Sequence, residues 1–370
     1  MMLMLLSNLN LNSRIKKISQ VKHTPVSHRI FINGVLALLL SIVLIFISGA
    51  SYIGTAHGGT KDNVIEKGDL DCGVFPDDPG RSAINNEGRW EGFYVDFCRA
   101  AAAAVLGNTE FVNFIEVGAT SRFTSLINKK TDVVMYSSTW TIGRENKYHV
   151  EFPVVYLLDG QGFMVRKSSG IHRISDLQGK RICVTANTTS HTNLVDTFKA
   201  RGYKADIIFA NGDSFFRGSC DAYTADRINL ATNRANRADN PNDYTILSEM
   251  ASREPIGPMV RNDDPEWSRI IRSIVHAVIL AEEKGITSKN IDQILKTSED
   301  LEVLNLLGKT GDIGTQLGLD SQWAYRVIKA VGNYGEIYNR YFGLSTPINM
   351  DRGLNRLWNQ GGVLFAPPFK

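Results

Sequence analysis

The sequence predicts an α/β protein of two lobes, each a mostly parallel sheet flanked by helices, with a helical C-terminal extension. Three observations carry this prediction. Short apolar runs alternate with amphipathic helices from Leu70 onward, the pattern of βα units built on a parallel sheet. The alternation starts again at Gly160, so the chain holds two successive runs of it. Beyond Leu301 the pattern turns helical, and Trp323, Tyr325, Val327, Ile328 and Val331 read as packed helix rather than a loose tail.

The N-terminus differs in kind. Arg14, Lys16, Lys17, Lys22 and Arg29 precede an uncharged stretch from Ile30 to Ala56, centred on VLALLLSIVLIFI, and small residues follow at Ser48–Ala50 and Gly54–Ala56. A positive segment, an apolar core and a small-residue exit describe a secretory signal peptide. The alternative is an uncleaved anchor, which needs about 20 apolar residues to span a bilayer. The strongly apolar run is shorter, which favours cleavage and an exported protein. No cysteine sits at the exit to carry a lipid.

After the leader, Leu70 to Phe75 reads as a strand. Residues 92–107 read as a helix, with Tyr94, Phe97, Cys98, Ala101 and Val105 at helical spacing and Gly107 as its stop. Phe111 to Val117 is a strand, and Ser121 to Lys130 a short helix with Phe123, Leu126 and Ile127 inward. TDVVMYSS is the continuous apolar run of a buried parallel strand. In the second run GFMVRK is a strand, ISDLQGK a capped turn and RICVTA a strand. A helix near Ser190 to Ala200 buries Leu194, Val195 and Phe198, CDAYTAD is a strand ending in Asp226, and RADNPNDY is a polar turn. Asp264 caps the next helix, Pro265 takes its first position and Gly285 stops it. Its stripe from Trp267 to Ile279 is plain core.

Composition narrows the function. The chain has 370 residues, 43% hydrophobic, with a formal net charge of +3 and its basic residues scattered, so no nucleic-acid partner is expected. All four cysteines, Cys72, Cys98, Cys183 and Cys220, follow the leader, and an even count in an exported chain fits two disulfides. Three pairings are open; the local one, Cys72–Cys98 and Cys183–Cys220, keeps each bridge within one half of the chain. Four buried thiols are the alternative. The cysteines lie far apart and the seven histidines show no ligand spacing, so neither metal nor cofactor is expected.

A cleft between two such lobes is the default ligand site. A free amino acid carries a carboxylate and an ammonium close together. Arginine grips the former through two parallel bonds, an acid pairs with the latter, and neutral donors fill the remaining lone pairs. Strand ends supply these groups. Ser137, Thr139 and Arg144 follow the DVVM strand, Asn187, Thr188 and Thr189 follow RICVTA and open a helix, and Asp226 ends CDAYTAD. On spacing alone the same groups also read as helix caps and a solvated arginine.

The stretches CGV at Cys72, WEGFYVDFCRAAAAAVLG, SRFTSLINKKTDVVMYSSTWTIGRE, DGQGFMV, CDAYTADR and SREPIGPMVR, and the tail from GDIGTQLGL to APPFK, resemble the family-3 periplasmic solute-binding proteins of polar amino-acid ABC transporters. The tail resembles the subgroup of general L-amino-acid receptors. The similarity runs from about Lys61 to Lys370 and implies a type II periplasmic-binding-protein fold. It also implies site roles. Arg144 clamps the ligand α-carboxylate, helped by Thr189 and Thr188. Thr139 and Ser137 serve the carboxylate and ammonium, and Asp226 pairs with the ammonium. Both cysteine pairs form the local bridges.

Two departures stand out. Asn187 replaces a usual glycine, and asparagine tolerates the left-handed conformation. In VFPDDPGRS, Asp77, Asp78 and Arg81 occupy a segment that lines the side-chain pocket in this family, where Arg122 is a further candidate. An acid facing the cleft favours a basic or polar ligand; an exposed loop is the alternative.

The expected division is a leader at 1–56, a first lobe of 62–158 plus 254–300, a second lobe of 159–253, and an extension of 301–370 packed on the lobes. The expected protein is a non-enzymatic, monomeric receptor that captures a free L-amino acid and delivers it to an inner-membrane ABC permease. Two alternatives remain. One is a periplasmic dehydratase of the cyclohexadienyl type, for which His191 and Asp78 are the only acid–base candidates. The other is a membrane-tethered sensor, if the leader stays uncleaved.

Overall fold

The computed structural model describes residues 58–370; the expected leader, 1–56, lies outside the described residues. Among them, no helix is long and apolar enough to cross a membrane.

The first run builds α1 (Thr60–Lys67), β1 (Leu70–Val74), a small sheet of β2 (Asp77–Asp78), β3 (Ser82–Ile84) and β4 (Trp90–Glu91), then α2 (Phe93–Leu106), β5 (Val112–Glu116), α3 (Ser121–Ile127) and β6 (Val133–Val134). β1 lies between β5 and β6, parallel to both. α4 (Ile142–Tyr148), β7 (Val150–Glu151) and β8 (Leu157–Asp159) lead to the crossover.

The second lobe contains β9 (Gln161–Arg166), β10 (Arg181–Val184), α5 (Thr189–Ala200), β11 (Asp206–Phe209), α6 (Gly212–Phe216), β12 (Ala222–Asp226), α7 (Arg227–Arg237) and β13 (Tyr244–Ile246). Its sheet order is β11-β10-β12-β9-β13. β10, β11 and β12 run parallel, whereas β9 is antiparallel to both its neighbours. The chain returns through β14 (Glu254–Ile256), antiparallel to β8, and β15 (Val260–Arg261), antiparallel to β7. Apart from the small antiparallel sheet β2–β3–β4, the antiparallel strands cluster where the chain enters and leaves the second lobe.

α8 (Pro265–Glu283) then packs its Trp267–Ile279 stripe into the first-lobe core. α9 (Ile291–Thr297), α10 (Leu301–Leu306), α11 (Ile313–Gln316), α12 (Trp323–Val331) and α13 (Tyr334–Tyr341) follow. Trp323, Val327, Ile328 and Val331 are buried in the same core. The tail also grips the crossover: Tyr334 donates its hydroxyl to the Tyr156 carbonyl at 2.7 Å, and the Asn355 amide exchanges bonds with the Leu158 backbone at 2.7 and 2.9 Å.

Caps behave as their residue types dictate. Asp264 accepts from the Trp267 N–H with Pro265 at the first helical position, and Gly107 ends α2 in the left-handed conformation. Disulfides join Cys72 to Cys98, tying β1 to α2, and Cys183 to Cys220 in the second lobe.

Three side chains depart from expectation. Ile127 is 41% exposed and Val195 40% exposed. Each stands one residue from a buried leucine, so a turn of about 100° carries it off the inward face. Tyr325 is only partly buried and bonds Asp292 through its hydroxyl at 2.6 Å. RADNPNDY is a turn up to Asp243, but Tyr244 is buried and starts β13.

Gly92 is the backbone position that most constrains the site. It has φ 132°, and a Cβ there would lie 2.3 Å from the Arg81 carbonyl oxygen. Gly92→Ala is therefore expected to destabilise the protein by about 2–4 kcal/mol, read as a lowered urea midpoint with an unchanged slope.

Candidate functional site

A cavity of about 280 Å³ lies between the lobes. Phe75, the β2–β3 segment, Tyr94, Arg122, Tyr136, Ser137 and Arg144 wall it on one side. Thr185, Thr188 to Ser190, Asn211, Tyr223 to Asp226 and the inner face of α7 wall it on the other.

The loop after β6 serves two purposes. Thr141 caps α4, its hydroxyl accepting from the Arg144 N–H at 3.1 Å. The Arg144 side chain meanwhile turns into the cavity wall, where Nη1 donates to the Thr139 carbonyl at 2.7 Å and the guanidinium lies 5.7 Å from the Phe123 ring centre. Phe123 is itself stacked on Tyr148 at 4.1 Å. Burial, then the nearby Arg122, pull the Arg144 pKa down to about 10, which leaves it charged at neutral pH.

From the second lobe, Thr188 caps α5 by accepting from the His191 N–H at 3.2 Å. Asn187 before it takes φ 61°, the left-handed conformation that asparagine tolerates. Thr189 opens the helix with its hydroxyl 3.2 Å from that of Thr139. Asp226 accepts from the Ser137 hydroxyl at 2.8 Å, so the lobes meet through side chains at both positions. Thr139 does not line the cavity: it is buried behind Arg144 and gives its hydroxyl proton to Glu254.

The electrostatics are strained towards a cationic guest. Burial pushes the Asp226 carboxyl up to about 7, with Asp159 and Glu254 adding to the shift and Ser137 and Arg81 opposing it. Asp159 is pushed up to about 6 by burial although it accepts from the Ile228 and Gly160 N–H groups. A carboxylate in this condition gains most from a cation placed against it.

The charged residues of VFPDDPGRS do face the cavity, yet they arrive paired. Asp78 bridges to Arg81, and Asp77 to Arg237 at 2.9 Å, which also holds Asp213. With the Asn229 amide oxygen turned towards it, Arg81 reaches that oxygen at 2.7 and 3.3 Å. Neither acid offers the unmatched charge that would single out a basic ligand. Arg122 differs: it is 2% exposed, lies 4.6 Å from the Tyr136 ring centre, bonds the Ser137 carbonyl at 3.3 Å, and leaves Nε without a partner. His191 packs edge-on against Phe209 at 4.9 Å and does not line this cavity.

Sequence reasoning missed Glu254, Asp159, Asn229 and Arg237. The helix signal of RINLATNRANR directly after Asp226 would have placed Asn229 and Arg237 one and three turns from that acid. Nothing local marks Glu254.

Residues 70–344 match the bacterial extracellular solute-binding proteins, family 3. The glutamate/glutamine/aspartate/asparagine-binding protein BztA of Rhodobacter capsulatus is 41% identical over 322 residues, covering 86% of this chain and 95% of that one. The general L-amino acid-binding periplasmic protein AapJ of Rhizobium johnstonii is likewise 41% identical, over 85% of this chain and 94% of that one. A solved periplasmic binding protein of Brucella ovis with glutathione bound superposes with a TM-score of 0.82 at 39% identity, over 85% of this chain and all of that one. The chain belongs to the bacterial extracellular solute-binding proteins, family 3.

Proposed function

We propose that this protein is the periplasmic substrate-binding component of an amino-acid ABC transporter, capturing a free L-amino acid between its lobes and delivering it to a membrane permease. One observation carries the reading: a half-buried guanidinium, Arg144, and a buried carboxylate with a raised pKa, Asp226, face one cavity from opposite lobes. Arg144 takes the α-carboxylate, with Thr188 and Thr189 adding donors at the start of α5. Asp226 and Ser137 take the α-ammonium. Thr139 acts from behind, by orienting Arg144.

The ligand's side chain then faces Arg122, the Asp78–Arg81 pair and Asn229. An unmatched guanidinium beside amides fits a carboxylate or carboxamide side chain best. The ligand named for BztA is of that kind, and the glutathione in the Brucella ovis protein contains such a group.

Closure of two lobes around a ligand is a hinge motion, and β8 and β14 form the hinge. The proposed division is a first lobe of 62–158 plus 254–300, a second of 159–253, and a C-terminal extension of 301–370. The leader at 1–56 is removed on export and the receptor acts as a monomer. Binding rather than catalysis is supported by the position of His191 outside the cavity lining and by the engagement of Asp78 with Arg81.

A thermal-shift screen against the common amino acids tests the reading. A ligand that binds the native state alone raises the melting temperature, by about 2.7 kcal/mol of stabilisation at a hundred times Kd. Glutamate, glutamine, aspartate and asparagine are expected to give the largest shifts; no shift with any amino acid refutes the proposal. Mass spectrometry of exported protein is expected to show loss of about fifty N-terminal residues.

A further inference from the structure

We infer that Glu254 is a positioning residue whose carboxylate staples the two lobes together behind the α-carboxylate end of the cavity. This rests on the amino-acid-binding reading above and adds a residue that does not touch the ligand.

Glu254 opens β14 on the crossover, in register with Asp159 of β8. Its side chain is 1% exposed, yet no lysine or arginine forms an ion pair with it among the described residues. Such a charge survives burial by collecting hydrogen bonds. It has three, from three parts of the chain. Oε2 accepts from the Thr139 hydroxyl at 2.5 Å, and Oε1 accepts from the Asn193 amide at 2.7 Å and from the Ser252 hydroxyl. Thr139 belongs to the first lobe, and Asn193 lies on α5 of the second. One oxygen therefore holds a group of the first lobe and the other holds two groups of the second.

The main chain reinforces the arrangement. Thr139 bridges Ile256 in antiparallel fashion, and the Trp140 N–H donates to the Pro255 carbonyl at 2.7 Å. The loop that carries Ser137 and Arg144 is thus zipped to the strand that carries Glu254. Because Thr139 spends its proton on Glu254, its oxygen can only accept from Thr189 across the 3.2 Å contact. The Thr139 carbonyl in turn holds Arg144. Glu254 thereby sets the direction of the chain Thr189 to Thr139 to Glu254 and the seat of the guanidinium. Opening the lobes separates Asn193 from Thr139, so the staple forms on closure.

Glu254→Gln tests this with little change of shape. A carboxamide accepts through only one of its two atoms, so it cannot accept from both Thr139 and Asn193 and must reverse or lose one of the two bonds. The wild type and the variant are titrated calorimetrically with glutamate and glutamine, and closure is followed by Trp140 fluorescence. The expected result is a loss of about 10- to 100-fold in affinity and a smaller ligand-induced fluorescence change. The exchange Asn193→Asp with Glu254→Gln restores one donor facing one acceptor and is expected to recover most of the affinity, which a merely structural defect would not do. Asn193→Ala, which leaves the hinge residue in place, is expected to lose about 3- to 10-fold. Unchanged affinity in both single variants, or no recovery in the exchange, overturns the inference. Failure of the wild type to bind any amino acid overturns the proposed function itself and is seen first.

Discussion

Arg144→Ala is expected to weaken amino-acid binding by about 30- to 4,000-fold, the equivalent of about 2–5 kcal/mol for removing one partner of a buried hydrogen-bonded charge pair. The loss follows from the site's economy of cations at that end. Arg122 lies beside Arg144 but is held by the Ser137 carbonyl and the Tyr136 ring, with its unpartnered Nε assigned to the ligand's side chain, so it does not take over the α-carboxylate. Folding is expected to survive, because Arg144 contributes one bond to the Thr139 carbonyl and sits against Phe123 without an ion pair of its own. Calorimetry with glutamate, alongside a melting curve of the ligand-free variant, separates the two effects. Arg144→Lys is expected to recover only part of the affinity, since an ammonium cannot grip both carboxylate oxygens in parallel. Wild-type affinity in the alanine variant would refute the assignment.

The second large effect is on pH. The Asp226 carboxyl is pushed up to about 7, chiefly by burial. A ligand ammonium against it favours the ionised form and lowers that pKa. Binding therefore releases a proton whenever Asp226 starts protonated. The affinity is expected to be full above pH 7 and to fall by up to about tenfold per pH unit below it. Ligand-free stability should run the other way. Asp226 and Asp159, pushed to about 7 and about 6, hold their protons more tightly folded than unfolded. Their contribution is present below pH 4 and is lost as pH rises through 6 and 7. The ligand-induced rise in melting temperature should thus be larger at pH 8 than at pH 5.5. Asp226→Asn removes the titration and is expected to flatten the affinity profile at a lower level.

Much of the fold was legible because its signals are local. Asp264-Pro265 starts α8 and Gly107 stops α2 through the chemistry of single residues and their neighbours. The parallel strands β1, β6 and β10 announced themselves as short apolar runs. The small sheet β2–β4, the hinge strands and α4 did not, since they are two to seven residues long and draw their stability from partners far along the chain.

The site divides the same way. Arg144, Thr188, Thr189 and Asp226 could be nominated from the sequence, because each directly follows or ends a strand and carries chemistry suited to a zwitterion. Which of them touch the cavity could not. Thr139 was expected at the ligand, but its hydroxyl is taken by Glu254, 115 residues away. For Asp77 and Asp78 the sequence leaves open whether they face the cleft or lie in an exposed loop; they line the cavity, but one meets Arg237, 160 residues distant in sequence, and the other Arg81. Residue order sets which groups a strand end can present, since that depends on local backbone geometry. Pairing and titration depend instead on distance through space and on the water excluded around a charge, and both exist only once the lobes have closed on one another.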